Sequence, residues 1–165
     1  MDKELFLMRH AKSSWDSDVS DDSSRPLSKR GINAAKRIGN GLNQLGWIPD
    51  LLLVSPSQRT QQTLEQINLD TKAVILDQLY EASLDDLFTL ISDTPESVTK
   101  LMLLGHNPSL EQLLLYLAPN AERQKNGKLF TTANVARIGI NGRWSTIKKN
   151  KDSSLLGLIR PKELD

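Results

Sequence analysis

Apolar residues along this chain fall into short runs that alternate with stretches of helical spacing. Leu5 to Met8 is a brief continuous run suited to a buried strand. Ile32, Ala35, Ile38, Leu42 and Leu45 then recur at helical intervals, and Gly46 suits the left-handed position that ends a helix. Gly39 and Gly41 weaken that helix by propensity, so the spacing predicts close packing against a neighbour. Leu51 to Val54 reads as a second buried strand, followed by a helix from about Ser57; Ala73 to Leu76 reads as a strand and Leu84 to Ile91 as a helix. Lys100 to Leu104 and Pro108 to Leu117 repeat the strand and helix order. Near the end the pattern changes. Val135 to Ile140, Asn141-Gly142 and Arg143 to Ile147 read as strand, type I′ turn and strand, a C-terminal β-hairpin. Alternating strands and helices closed by a hairpin predict an α/β fold with a mostly parallel central sheet. No linker or repeat divides it, so a single domain over residues 1–165 is expected.

Composition narrows the classes of function. Hydrophobic residues at 38% and charged residues at 25% exclude a disordered or fibrous chain. The apolar runs Leu101 to Leu104 and Leu113 to Leu117 are far too short to span a membrane. Met1-Asp2-Lys3-Glu4 leads straight into the first strand and leaves no room for a signal peptide's apolar core, so a cytoplasmic location is expected. A net charge of +1 gives no global field for nucleic acid or membrane, and neither is expected as a partner. The absence of cysteine excludes a thiol nucleophile and a disulfide framework. Local charge is uneven, with an acidic Asp16 to Asp22 segment in a Ser/Asp-rich surface loop and a basic Arg143 to Lys151 segment. Both read as solvated surface.

Three polar clusters each follow a buried strand: Arg9-His10, Ser55-Pro56-Ser57-Gln58-Arg59, and Gly105-His106-Asn107-Pro108. In open α/β sheets ligands bind beyond the carboxyl ends of the strands, so both histidines of the chain fall where a site is expected. Two clusters also read as helix starts, with Ser55 as cap, Pro56 at the first helical position and Gln58 at capping-box spacing. Asn107, Pro108 and Glu111 repeat the arrangement. Capping does not account for Arg59, a cation near a helix N-terminus where the dipole disfavours it; a bound anion removes the conflict. Two arginine forks match phosphoryl oxygens. A neutral imidazole between them can attack phosphorus, and a second, protonated imidazole can donate to the phosphoryl oxygens. Two distant histidines without a carboxylate at ligand spacing make no recognisable metal site, so neither metal nor cofactor is expected.

These motifs carry a resemblance. Arg9-His10-Ala11-Lys12-Ser13 resembles the Arg-His-Gly signature of histidine phosphatases in the Arg-His-Ala-Lys form of the SixA-type branch. Arg25-Pro26-Leu27 resembles that branch's Arg-Pro-Leu segment. Ser55-Pro56-Ser57-Gln58-Arg59-Thr60-Gln61-Gln62-Thr63 is similar to the family's Ser-Pro-x-x-Arg-x-x-Gln-Thr, and Gly105-His106-Asn107-Pro108 to its second histidine motif. Phe130-Thr131-Thr132-Ala133 resembles a late segment of short phosphohistidine phosphatases. Five motifs in order, from Met8 to about Ile147, are highly specific together.

The resemblance implies the three-layer, phosphoglycerate mutase-like sandwich of that superfamily, with an open pocket that a protein can enter. It implies a metal-independent phosphatase whose nucleophile is His10, with Arg9, Arg59 and His106 holding the phosphoryl group. Arg25, Ser13 and Asn107 are the substrate-binding candidates; for Arg25 a plain helix-entry role before Pro26 stands beside the rim contact. Larger relatives use a carboxylate near the middle of the chain as general acid. Glu81 is the candidate here, beside its alternative as an exposed loop or helix-start residue, with Asp18 and Asp22 as further acids. The expected substrate is phosphohistidine on a phosphorylated protein. The alternatives are a small phosphomonoester and a phospho-ligand binding module without turnover.

Overall fold

In the computed structural model, which describes residues 2–15 and 21–164, the first strand lies near the middle of one six-stranded sheet. The strands are β1 (Lys3–Arg9), β2 (Leu51–Val54), β3 (Lys72–Ile75), β4 (Lys100–Gly105), β5 (Val135–Ile140) and β6 (Ser153–Ile159), in the order β3-β2-β4-β1-β5-β6. β3, β2, β4 and β1 are mutually parallel, while β5 and β6 add on in antiparallel fashion. The helices are α1 (Lys29–Leu45), α2 (Gln58–Ile67), α3 (Leu84–Ser92) and α4 (Ser109–Leu117).

The pleat of β1 explains the layering. Leu5 and Leu7 point into one core with Leu87, Phe88, Leu113 and Leu114 of α3 and α4. Phe6 and Met8 point into the other, with Ala35, Ile38 and Leu42 of α1. A strand buried on both faces needs no polar alternation, which is why Leu5 to Met8 reads as a continuous run. The result is the expected three-layer α/β sandwich with a mostly parallel sheet. Gly39 accounts for the close approach of α1 to α2: a Cβ there would stand 2.2 Å from the carbonyl oxygen of Ile67. Gly46 ends α1 with φ of 71°, the left-handed cap.

The C-terminal hairpin exists, but its second strand is not the expected one. Arg143 to Ile147 is not a strand; Trp144–Lys149 forms a 3-10 segment, and the chain returns as β6. Gly142 has φ of 102°, but Asn141 is not left-handed, so the pair does not make the type I′ turn, which needs both residues there. Trp144 and Ile147 lie three apart and are fully buried, a helical rather than a strand spacing. The indole Nε1 of Trp144 donates to the carbonyl of Val98 at 2.7 Å, and its backbone N–H to Glu96 Oε1 at 2.8 Å. Burying a large aromatic with its polar handle satisfied outweighs a local turn preference. Among the described residues, no helix is long and apolar enough to cross a membrane.

Candidate functional site

The carboxyl ends of β1, β2 and β4 open into one cavity of about 510 Å³. Arg9, His10, Ser13, Asp22, Arg25, Arg59, Glu81, His106 and Asn107 all line it, so the described candidates from the sequence meet there. The parallel register explains the meeting: Arg9 of β1 stands opposite Gly105 of β4, placing His10 and His106 on adjacent strand ends. Their ring centroids are 5.2 Å apart.

His10 is buried, and its Nδ1 lies 2.7 Å from the carbonyl oxygen of Ala11. A carbonyl only accepts, so Nδ1 carries the proton and Nε2 keeps its lone pair. Burial above all, and then the charges of His106, Arg59 and Arg9, hold the His10 pKa down at about 3 against the opposing pull of Ala11. The imidazole is therefore neutral at working pH. His106 lies with Nε2 2.8 Å from Ser55 Oγ. Burial, with Arg59 and Arg9, lowers its pKa to about 4, only partly opposed by Asp22. The protonated donor expected at His106 is thus not its resting form; an arriving phosphoryl dianion would have to raise its pKa.

The residues around the two histidines explain the longer motifs. Thr63 Oγ1 accepts from the Ala11 N–H at 3.0 Å and donates to the Arg59 carbonyl at 2.7 Å, tying the His10 turn to α2. Gln62 Oε1 accepts from the Leu27 N–H at 2.7 Å and anchors the Arg25 segment. Ser55 stands just ahead of the cap position and serves two partners. α2 begins at Gln58 with Ser57 at the cap position and no side-chain cap bond; the Ser55 hydroxyl lies 2.8 Å from His106 Nε2 and accepts the Ser57 N–H at 3.4 Å. Asn107 donates from Nδ2 to the Phe130 carbonyl at 2.8 Å and accepts the Glu111 N–H at Oδ1 at 3.2 Å. Both ends of its amide thus hold the Phe130 to Thr131 segment against α4.

Like Arg137 and Arg160 away from the cavity, Arg9, Arg25 and Arg59 each have a buried Nε with no hydrogen-bond partner among the described residues. Their outer nitrogens are engaged. Arg59 donates to the Asp22 carbonyl and, at 2.9 Å, to its Oδ2; Arg25 donates to Asp22 Oδ1 at 3.1 Å and to Ser13 Oγ. The Tyr80 hydroxyl donates to the same Asp22 Oδ2 at 2.7 Å, while its ring meets His106 edge-on. An anion does resolve the Arg59 conflict, but it is a carboxylate of the chain. These donors, Tyr80 first, hold the Asp22 pKa down at about 2, which makes Asp22 a poor general acid. Asp18 lies outside the described residues.

Glu81 is exposed at the rim, two residues before Ser83 caps α3, with φ of 57°. A non-glycine residue in the left-handed region is uncommon and is often found where a side chain must be aimed. Tyr80, Trp15, Lys12 and Lys128 also line the cavity and were not singled out from sequence. The Arg25 guanidinium lies 3.7 Å from the Trp15 ring centroid, but a tryptophan in a polar loop carries no periodic signal. Among the described residues no cluster of three or more His, Asp or Glu is arranged to hold a metal ion.

The sequence profile of the histidine phosphatase superfamily (branch 1) matches residues 5–108. The chain belongs to that superfamily. An uncharacterized protein of Mycobacterium tuberculosis is 30% identical over 146 residues, covering 86% of this chain and 92% of that protein. Phosphohistidine phosphatase SixA of Escherichia coli (strain K12) is 28% identical over 144 residues, 84% of this chain and 86% of its own length. The solved structure of the protein histidine phosphatase SixA complexed with tungstate superimposes with a TM-score of 0.79 at 25% identity, over 98% of this chain and 99% of that one. The chain is accordingly a histidine phosphatase of the SixA type.

Proposed function

We propose that this histidine phosphatase removes phosphate from phosphohistidine on proteins, through a phosphoryl intermediate on His10. The observation that carries the reading is the state of His10. Its Nδ1–H is committed to the Ala11 carbonyl and its Nε2 lone pair is free, beside Arg9, Arg59 and His106 in one cavity. In the first step Nε2 attacks phosphorus, and the bond from phosphorus to the substrate imidazole breaks. The substrate reacts with its other ring nitrogen already protonated, so the electron pair of the broken bond becomes the lone pair of a neutral imidazole. In the second step water attacks phospho-His10, yielding inorganic phosphate, a proton and the neutral imidazole. Arg9 and Arg59 hold charge on the equatorial oxygens, so the cationic stabilisation comes from side chains. Arg25 contributes at the rim, where it already grips a carboxylate.

Support for the substrate class is twofold. The related SixA of Escherichia coli is a phosphohistidine phosphatase, and its namesake binds tungstate, a tetrahedral dianion like phosphate. Imidazole is also a far better leaving group than an alkoxide, so this reading needs no strongly positioned acid; the described carboxylates of the cavity, Asp22 and Glu81, are both exposed. A small phosphomonoester is the second reading, favoured by the left-handed backbone that sets Glu81 at the rim. A brief reaction with labelled phosphohistidine protein, followed by a quench, should place an acid-labile, base-stable label on the His10 peptide. A His10→Ala chain with full turnover would refute the mechanism. A higher specificity constant for small phosphomonoesters than for phosphohistidine protein would refute the substrate assignment.

A further inference from the structure

Beside the catalytic cavity the surface changes character. Lys12, Arg30, Arg123, Lys125, Lys128 and Lys162 are all exposed, and among the described residues none lies within ion-pair distance of a carboxylate. They come from four places far apart in sequence: the turn after β1, the start of α1, the connection between α4 and β5, and the 3-10 turn Pro161–Glu163. Yet they line a continuous surface. Lys12 and Lys128 border both the catalytic cavity and a neighbouring depression of about 290 Å³, which Arg30 and Lys162 also line. Lys162 in turn borders the next depression, together with Arg123 and Lys125.

The acids nearby do not neutralise the patch. Among the described residues Glu163 is engaged with Arg160 and Asp22 with Arg25 and Arg59, which leaves Glu81, Glu111 and Glu122 along this surface against six cations. A chain of net charge +1 has no general excess of cations to scatter, so this is a local concentration. Unpaired like charges gathered on one face repel one another and favour an oppositely charged partner. The patch starts at the cavity mouth and runs away from it, which fits a macromolecule docking beside its own reacting group.

We infer that this surface is the docking face for an acidic protein, the one that presents its phosphorylated histidine to the cavity. The inference rests on the phosphohistidine reading and adds to it the charge of the partner's face. Lys12 and Lys128 border the cavity itself, so the test uses the outer cations in two double variants, Arg30→Glu with Lys162→Glu, and Arg123→Glu with Lys125→Glu. The substrates are phosphoimidazole and a carrier protein phosphorylated on a histidine within an acidic face. Each double variant should lose about tenfold or more in kcat/KM on the carrier at low salt, as expected for steered association. The loss should shrink as salt rises past the screening range. On phosphoimidazole both variants should stay within about twofold of the parent, since these charges act on encounter and not on the reacting atoms.

A second arm reads docking without turnover, by calorimetric titration of the unphosphorylated carrier into the His10→Ala chain, with and without the charge reversals. Weaker binding on reversal, restored by a carrier whose acidic face is made basic, supports this face as the dock for an acidic protein, and does so independently of the turnover measurement. Unchanged affinity, or no binding of the acidic carrier to the His10→Ala chain, overturns it. Equal losses on the carrier and on a small bis-phosphate would assign the patch to a second phosphate of a small substrate, and would overturn it as well. A parent chain that docks the carrier but does not dephosphorylate it refutes the phosphohistidine reading alone.

Discussion

Asp22→Ala should make this enzyme bind inorganic phosphate more tightly. The Asp22 carboxylate accepts from Arg59, Arg25 and Tyr80, and so occupies donors that the phosphoryl group would use. Hydrogen bonds to charged groups are worth roughly 1.5–3 kcal/mol each when shielded. The Asp22 side chain is 51% exposed, however, so solvent screening reduces each ion pair to about 0–1 kcal/mol. Two such pairs and one tyrosine bond give a net competition of about 1–2 kcal/mol, or a gain of roughly 5- to 30-fold in affinity. Arg59 keeps much of its orientation in the variant, because its other nitrogen donates to the Asp22 backbone carbonyl, which alanine retains. Asp22→Asn separates charge from shape and should give most of the gain. The assay is calorimetric titration with phosphate or tungstate at fixed pH and salt. Unchanged or weaker binding in both variants would mean that Asp22 orients the arginines rather than competing with the ligand, and would refute the argument.

Arg59→Lys should lower kcat/KM by roughly two orders of magnitude, since a lysine keeps the charge but loses the planar fork; kinetics like the parent's would place Arg59 outside the reacting site. His10 and His106 are the chain's two histidines, so an NMR titration resolves both. Their midpoints should fall near about 3 and 4, and a midpoint close to 6.5 for either would refute the burial argument. The sign for stability follows. Between those values and 6.5 the unfolded chain binds more protons than the folded one, so the thermal midpoint should drop as pH is lowered from about 7 to 4. Glu81→Gln should leave turnover of phosphohistidine protein nearly unchanged while depressing any activity on alkyl phosphates, where an acid contributes roughly 10²–10⁴-fold. A large loss on the phosphohistidine protein would count against the leaving-group argument.

Features that depend on neighbours in the chain were legible from the sequence alone. Continuous apolar runs marked β1, β2 and β4 because strands buried on both faces leave no place for polar residues. Polar clusters directly after those runs marked the cavity, because parallel strands deliver all their carboxyl ends to one edge. Arg9, His10, Arg59 and His106 followed from that rule. Where a residue's partner lies elsewhere in the fold, tertiary contact decided instead. Trp144 gave up an expected strand because Glu96 and Val98 satisfy its polar atoms in a buried site. Ser55 reads as a helix-start residue, and nothing local shows that its hydroxyl also meets His106, 51 positions away. Tyr80 and Asp22, 58 residues apart, meet over Arg59, and local spacing encodes nothing of that meeting. The protonation states were likewise out of reach. An imidazole's pKa is set by the solvent it loses and the charges placed beside it, and both exist only once the chain has folded.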